Sequence, residues 1–380
     1  MRKRFVLGLL GGAILSLAVL GLYWLAILSL VLVLCLFTLK KALVRVASMP
    51  LRRGLSAVLL VFGLMVTTAL FKVVVVGPFR IPSGSMQKTL YTGDVVLVNK
   101  LAFGPRLPRS PFEIPWLNIA FYFNDKARSR IKEKWWDYRR LPGMDSVRRG
   151  EMYVSETNFG YVAKRCVALP GDTLEVRGGA LRVNGRSFEP SEAVRSRYGF
   201  RVRDNEGFQS FIKQKAVRLK PNDQGLYRPV LEKGFADALI NSGVVDSLRI
   251  LPSQHKKSNL YGPLSPWTFS DYGPYIVPKK GCRIELTPFN FSCYGRLIKD
   301  YEGAKIVRRG DGFWLRGEQV THYNFHRDYY FMMGDNRVWT VDSRGWGPLP
   351  ECNLVGRIDM VLWSSWEGEF HWERFMKFVD

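Results

Sequence analysis

Apolar and polar positions are spread unevenly along the chain. From Phe5 to Leu39, 35 residues pass without a charged side chain, and a second uncharged run covers the 17 residues from Leu55 to Phe71. About 20 apolar residues cross a hydrocarbon core, so both runs read as membrane-spanning helices. A cleavable leader has an apolar region of roughly 7 to 15 residues, so the first run reads as a retained anchor. As a single helix it would be about 52 Å long, more than a bilayer core of about 30 Å accommodates, and a hairpin turning near Gly21 is the alternative. Beyond Lys72 the pattern changes. Short apolar stretches at Val73 to Val76, Val95 to Val98, Met152 to Val154, Ala163 to Leu169 and Thr173 to Val176 are separated by Gly, Pro and Asp. That spacing predicts frequent short strands and a mainly β domain. Residues 178–327 are more polar and irregular and read as an inserted second lobe. Apolar density returns at Tyr329 to Gly334 and again in the aromatic segment Val361 to Phe378. The expected division is an anchor over 1–79 with two or three spans, a core in two parts over 80–177 and 328–380, and the lobe between them.

Charge orients this arrangement. The chain of 380 residues carries +23, and residues 1–79 hold nine Lys or Arg and no acid, so the remaining 301 residues carry +14. Arg2, Lys3 and Arg4 precede the first run, and Lys40, Lys41, Arg45, Arg52 and Arg53 fill the gap before the second. The positive-inside rule puts both clusters in the cytoplasm, which favours three spans over two. With the 40–54 loop inside, everything after about Lys72 is delivered to the outer side. A basic aromatic stretch over 104–150, with Trp116, Trp135 and Trp136, reads as an interfacial face or as a solvated loop with core anchors. Nucleic acid would also suit the surplus of base, but no helix-turn-helix, zinc-finger or RNP pattern is found, and anionic lipid is the better counterpart. Of five cysteines, four fall on the outer side; Cys282 with Cys293 is the candidate disulfide, and free buried thiols the alternative. No CxxC or HExxH spacing exists, so no metal is expected.

Three stretches bear chemistry. The first is Arg80-Ile81-Pro82-Ser83-Gly84-Ser85-Met86, where Pro82 and Gly84 make the backbone irregular and the Gly beside Ser85 permits close approach. A nucleophilic serine needs a base and oxyanion donors. None of the four histidines lies in a motif that recommends it, but a lysine buried among apolar groups can lose its proton near neutrality. Lys88 fits an S-x-x-K spacing with Ser85, without the S-D-N and K-T-G companions of that pattern. Lys164, in the apolar strand Tyr161 to Leu169 closed by Pro170-Gly171-Asp172, is the other candidate. Its bland reading is an exposed strand lysine. The third stretch is Met333-Gly334-Asp335-Asn336-Arg337 with Asp342-Ser343-Arg344-Gly345-Trp346-Gly347, whose two Asp and two Arg can form a buried ion-pair network that pins loops.

Together, in this order, the three boxes resemble bacterial type I signal peptidase, a membrane-bound Ser/Lys-dyad protease family. The match is good over about 72–177 and 328–350. The resemblance implies a largely β catalytic core with an apolar surface dipping into the outer leaflet, Ser85 as nucleophile and Lys164 as general base. It also implies an oxyanion hole from the Ser85 N–H and the Ser83 hydroxyl. Thr340 stands where the family's lysine-orienting hydroxyl, usually a serine, lies. Asp342 and Arg344 fall on positions that shape the site, Asp335 on a supporting acid, and Ile81, Pro82 and Ala163 on the walls of small substrate pockets. The family usually has Pro where this chain has Lys88, and Gly-Asp where it has Gly150-Glu151. The implied partners are secretory preproteins, membrane phospholipids and the protein-export channel, with no nucleic acid and no cofactor. The implied place is the bacterial cytoplasmic membrane, multi-pass, with the catalytic domain on the periplasmic side. A catalytically silent membrane-anchored scaffold retaining the fold is the reading from another class.

Overall fold

The computed structural model describes residues 11, 12, 14–16, 19, 22–45, 48–130, 133–252, 267–366 and 368–379. The chain forms two compact units, one of residues 1–79, 97–146 and 355–359, the other of 80–96, 147–354 and 360–380.

The first unit is dominated by two apolar helices, α1 (Tyr23–Val44) and α2 (Met49–Leu70). Helix α2 has Pro50 in its first turn, where the missing N–H costs nothing, and no residue of α2 is buried. Both are long and apolar enough to cross a membrane. A turn near Gly21 falls outside the described residues. After α2 the chain does not enter a strand at Val73 as the sequence suggests. Phe71–Val75 continue as one wider helical turn, and strand β1 (Val76–Arg80) begins only where Val76 becomes extended, at φ −143°. The Val run extends a helix already propagating, and adding a turn to an existing helix costs less than starting a new element. Strand β2 (Asp94–Asn99) lies beside β1, and residues 97–99 of β2 meet 355–359.

The second unit is rich in antiparallel sheet, in accord with the mainly β expectation. Strand β3 (Met152–Thr157) pairs with β4 (Gly160–Ala168) in unbroken register, Tyr153 opposite Lys164 and Met152 opposite Arg165. Next come β5 (Thr173–Arg177) and β6 (Ala180–Val183), then β7 (Arg195–Val202). Helix α3 (Asn205–Gln214) follows, its N-terminus capped by the Asp204 carboxylate, which accepts from Glu206 N and Gly207 N. Strand β8 (Val230–Glu232), helix α4 (Lys233–Asn241) and strand β9 (Val245–Ile250) complete a three-stranded sheet in the order β9-β7-β8. Strand β10 (Tyr272–Ile276) joins β5, and helix α5 (Pro288–Tyr301) is capped by the Thr287 hydroxyl. Strands β11 (Tyr329–Met333), β12 (Leu349–Pro350) and β13 (Leu354–Trp366) follow, the short strands Glu369–Phe370 and Lys377–Phe378 pair with β13, and the main sheet of this unit runs β13-β3-β4-β11-β12.

Two distinct apolar clusters lie along the stretch 178–327 and its flanks. Val167, Leu174, Val176, Tyr272, Tyr275, Leu297, Phe325 and Phe331 belong to one. Phe200, Phe208, Tyr227, Leu231 and Leu239 belong to the other. The stretch 178–327, read from the sequence as a single lobe, therefore divides: β7 to β9 build around their own core, whereas β10, α5 and their neighbours pack with β4, β5 and β11. Cys282 and Cys293 are not bonded, and all five cysteines are free thiols. Cys293 packs in the core as a small apolar group.

Candidate active site

Strand β4 is buried from Ala163 to Ala168, so side chains on both of its faces are enclosed. Lys164 therefore points to one face and Arg165 to the other, at 3% and 1% exposure. Lys164 Nζ stands 2.5 Å from Ser85 Oγ. Ser85 is the middle residue of a single 3-10 turn, Gly84–Met86, entered from the extended Ser83 and anchored by the fully buried Met86. Backbone bonds from Ile81 N to Asp94 O and from Gly93 N to Ile81 O tie the approach to this turn onto the start of β2. Gly93 is required there: its φ is +98°, and a β-carbon would meet the Ser365 carbonyl oxygen at 2.1 Å. The Ser83 hydroxyl donates to Ser85 Oγ at 3.3 Å. The Ser85 N–H has no acceptor among the described residues.

Burial lowers the Lys164 pKa to about 8, against the opposing pull of Asp342 and Asp335. Those carboxylates do not prevail because each is committed to a guanidinium. Arg165 Nε and Nη2 donate to Asp335 Oδ1 and Oδ2 at 3.0 and 2.7 Å. Arg344 Nε and Nη2 donate to Asp342 Oδ1 and Oδ2, both at 2.9 Å, while Arg344 Nη1 donates to the Phe269 carbonyl. Burial by itself would raise the Asp342 pKa, but Arg344, with Arg337 and Lys164, holds it below the usual carboxylate range. Asp342 Oδ2 also accepts from Gly334 N at 3.2 Å, which fixes the loop leaving β11. A hydroxyl at 2.5 Å from an amine that is neutral above about pH 8 has a base within reach of its proton.

The family model for signal peptidase, peptidase S26, matches residues 53–224 and 299–363. The chain belongs to the signal peptidase S26 family. Signal peptidase I of Pseudomonas aeruginosa is 36% identical over 306 residues, covering 77% of this chain and 66% of that relative. Signal peptidase I of Helicobacter pylori strain J99 is 23% identical over 75% of this chain and 74% of its own length. Signal peptidase I of Buchnera aphidicola subsp. Baizongia pistaciae is 23% identical over 83% and 79%. The activity of this S26 chain is that of signal peptidase I, a serine endopeptidase. The stretch between the two matched segments, 225–298, contains β8, α4, β9 and β10.

Of the other residues singled out in the sequence, Ile81 and Ala163 are buried at 4% and 7%, and Pro82 is exposed beside them. Thr340 is buried, and its hydroxyl has no hydrogen-bond partner among the described residues; it packs against Gly334, where a β-carbon would lie 2.3 Å from Thr340 Oγ1. Lys88 turns away from the site, with φ +83°, and pairs with Glu232 at 3.0 Å on a half-exposed surface. An open groove lined by Arg80, Gly84, Gln87, Tyr91 and Trp366 flanks the Ser85 turn. Sequence reasoning missed Thr89, whose hydroxyl donates to Asp335 Oδ2 at 2.6 Å, and gave no role to Asn336 of the third stretch, whose N–H donates to the Ser85 carbonyl at 3.0 Å. It also missed Arg374, which pairs with the buried Asp94 and donates to the Thr89 carbonyl. These partners lie about 245 to 285 positions apart in the chain, so no local signal marks them.

Proposed function

We propose that Ser85 is the nucleophile and Lys164 the general base of this S26 peptidase. The 2.5 Å approach of Lys164 Nζ to Ser85 Oγ, with burial bringing the amine to about pKa 8, is the observation that carries the assignment. Neutral Lys164 takes the hydroxyl proton as Ser85 Oγ attacks the scissile carbonyl, and the resulting ammonium later protonates the leaving amine. The Ser85 N–H and the Ser83 hydroxyl stabilise the oxyanion, each such donor being worth roughly 10² to 10³ in rate. Thr340 supports the lysine's surroundings, Asp335, Asp342 and Arg344 hold the loops around it, and Ile81, Pro82 and Ala163 bound shallow pockets that suit the small side chains of A-x-A junctions.

The substrates are signal peptides of secretory preproteins. In this reading the two apolar helices anchor the chain in the cytoplasmic membrane, Lys40 and Lys41 at the end of α1, Arg45, and Arg52 and Arg53 at the start of α2 stay inside, and the second unit works on the periplasmic face. Phe159, Trp339, Trp372 and Phe378 are exposed aromatics of that unit and suit contact with phospholipid at the outer leaflet. A preprotein held by its own apolar segment, and delivered from the export channel, then meets the site at high effective concentration.

Cleavage of an A-x-A preprotein by the purified detergent-solubilised protein tests the dyad. Ser85→Ala and Lys164→Ala are expected to lose at least 10³-fold in kcat/KM, with Lys88→Ala close to wild type. Activity that survives Lys164→Ala but not Lys88→Ala would reassign the base.

A further inference from the structure

Strand β7, the first strand of the lobe with its own core, begins against the active-site loop. Arg195 N donates to the Asp335 carbonyl at 2.7 Å and Arg337 N donates to the Arg195 carbonyl at 2.9 Å, a parallel bridge centred on Asn336. The Arg195 side chain continues to the turn that bears Ser85, where its Nη1 donates to Gln87 Oε1 at 2.8 Å. Asn336 lies between these groups. Its Nδ2 donates to the Gly84 carbonyl at 3.0 Å and reaches Gln87 Oε1 at 3.4 Å. Across β7 from Asn336, Arg195 is in register with Glu232 of β8, and Glu232 is the partner of Lys88. The lobe thus holds both Gln87 and Lys88, the two residues that follow the 3-10 turn.

The geometry of the 84–85 peptide gives these contacts a chemical consequence. In a planar trans peptide the C=O of one residue and the N–H of the next point in opposite directions. Fixing the Gly84 carbonyl on Asn336 Nδ2 therefore fixes the direction of the Ser85 N–H. We propose that Arg195 is a positioning residue for the oxyanion hole: by holding Gln87, and through it the Asn336 carboxamide, it sets the orientation of the Ser85 N–H. The inference rests on Ser85 being the nucleophile whose N–H receives the oxyanion. It gives the lobe a part in the reaction that its distance in sequence from both dyad members conceals. Because the main-chain bridge of Arg195 does not depend on its side chain, Arg195→Ala leaves β7 docked and removes only the hold on Gln87.

The test is steady-state cleavage of an A-x-A preprotein by the full-length protein in detergent. A misdirected donor acts on the transition state more than on the bound substrate, so Arg195→Ala is expected to lower kcat about tenfold, less than outright loss of an oxyanion donor. KM is expected to stay within about twofold. Arg195→Lys, which retains one donor to Gln87, recovers most of that loss. The double variant Arg195→Ala with Gln87→Ala is no slower than the slower single variant, since both act through one contact. A peptide boronic acid ending in alanine, which forms a tetrahedral adduct on Ser85, loses affinity in step with kcat. Unchanged kcat in Arg195→Ala, additive losses in the double variant, or an equal loss in Glu232→Gln would overturn the proposal, the last by assigning the effect to general loosening of the lobe. Full activity of Ser85→Ala would instead remove the reading on which the proposal rests.

Discussion

If Lys164 is the base, as proposed above, one residue couples stability to catalysis. Its pKa in the fold is about 8, below the ordinary 10.5, and the cause is burial. A base must be neutral to act, so log kcat/KM is expected to rise with unit slope up to about pH 8 and then level, leaving activity at pH 6 about a hundredfold below the plateau. A pH-rate profile of the wild type measures this, and a plateau reached below pH 7 would contradict it. The stability effect has the same sign. Between the folded value of about 8 and the unfolded 10.5 the unfolded chain binds more protons, so stability rises with pH across that window and the burial penalty is fully present below it. Lys164→Met removes the penalty. The inactive variant is expected to melt above the wild type at pH 7, by an amount on the order of 3 kcal/mol at most, with the two converging above about pH 10.5. Thermal melts at the two pH values check it. The candidate residues Ser85 and Lys164 were legible in the sequence because a Pro-Ser-Gly-Ser turn and an apolar strand ended by Pro-Gly-Asp are local patterns. The burial of Lys164 was not, because a strand lysine is enclosed only by what packs over its face.

At the scale of elements, the buried Arg165–Asp335 ion pair holds β4 to the loop after β11. Met333 pairs with Arg165, and Arg165 reaches over to Asp335 just past the end of β11. Arg165→Leu would leave the Asp335 carboxylate buried without its guanidinium, a change that costs about 3–5 kcal/mol, and chemical denaturation is expected to report a loss of that size. Gly334 sits between Thr340 Oγ1 and the Ser85 carbonyl, at 2.3 and 2.6 Å from where a β-carbon would be. Gly334→Ala is therefore expected to push the Ser85 turn away from β4, costing about 1–3 kcal/mol of stability and most of kcat. A Gly334→Ala protein with wild-type kcat would show that the turn tolerates displacement. The strands at Val95 to Val98, Met152 to Val154, Ala163 to Leu169 and Thr173 to Val176 were readable from apolar runs bounded by turn residues. The run at Val73 to Val76 was not, because β-branched residues suit a strand, yet here they follow 22 helical residues whose hydrogen-bond ladder carries on through them.

At the scale of the molecule, no covalent bond ties distant segments together, since all five cysteines are free thiols. The melting temperature of the purified protein is therefore expected to be the same with and without dithiothreitol, and a fall on reduction would reveal a disulfide. Composition and order along the chain were enough for the two long apolar helices, the β-rich character, the three boxes and the family. These depend on apolar run length, on local turn chemistry and on residue spacing, all of which are properties of neighbours in sequence. The tertiary structure alone decided that 178–327 divides between two cores, that Lys88 faces Glu232 rather than Ser85, and that Arg195, Thr89 and Arg374 belong to the surroundings of the site. Those outcomes depend on contacts between residues far apart in the chain. Whether such a contact forms is set by how the sheets pack and which charges are shut away from water, and no local pattern carries that information.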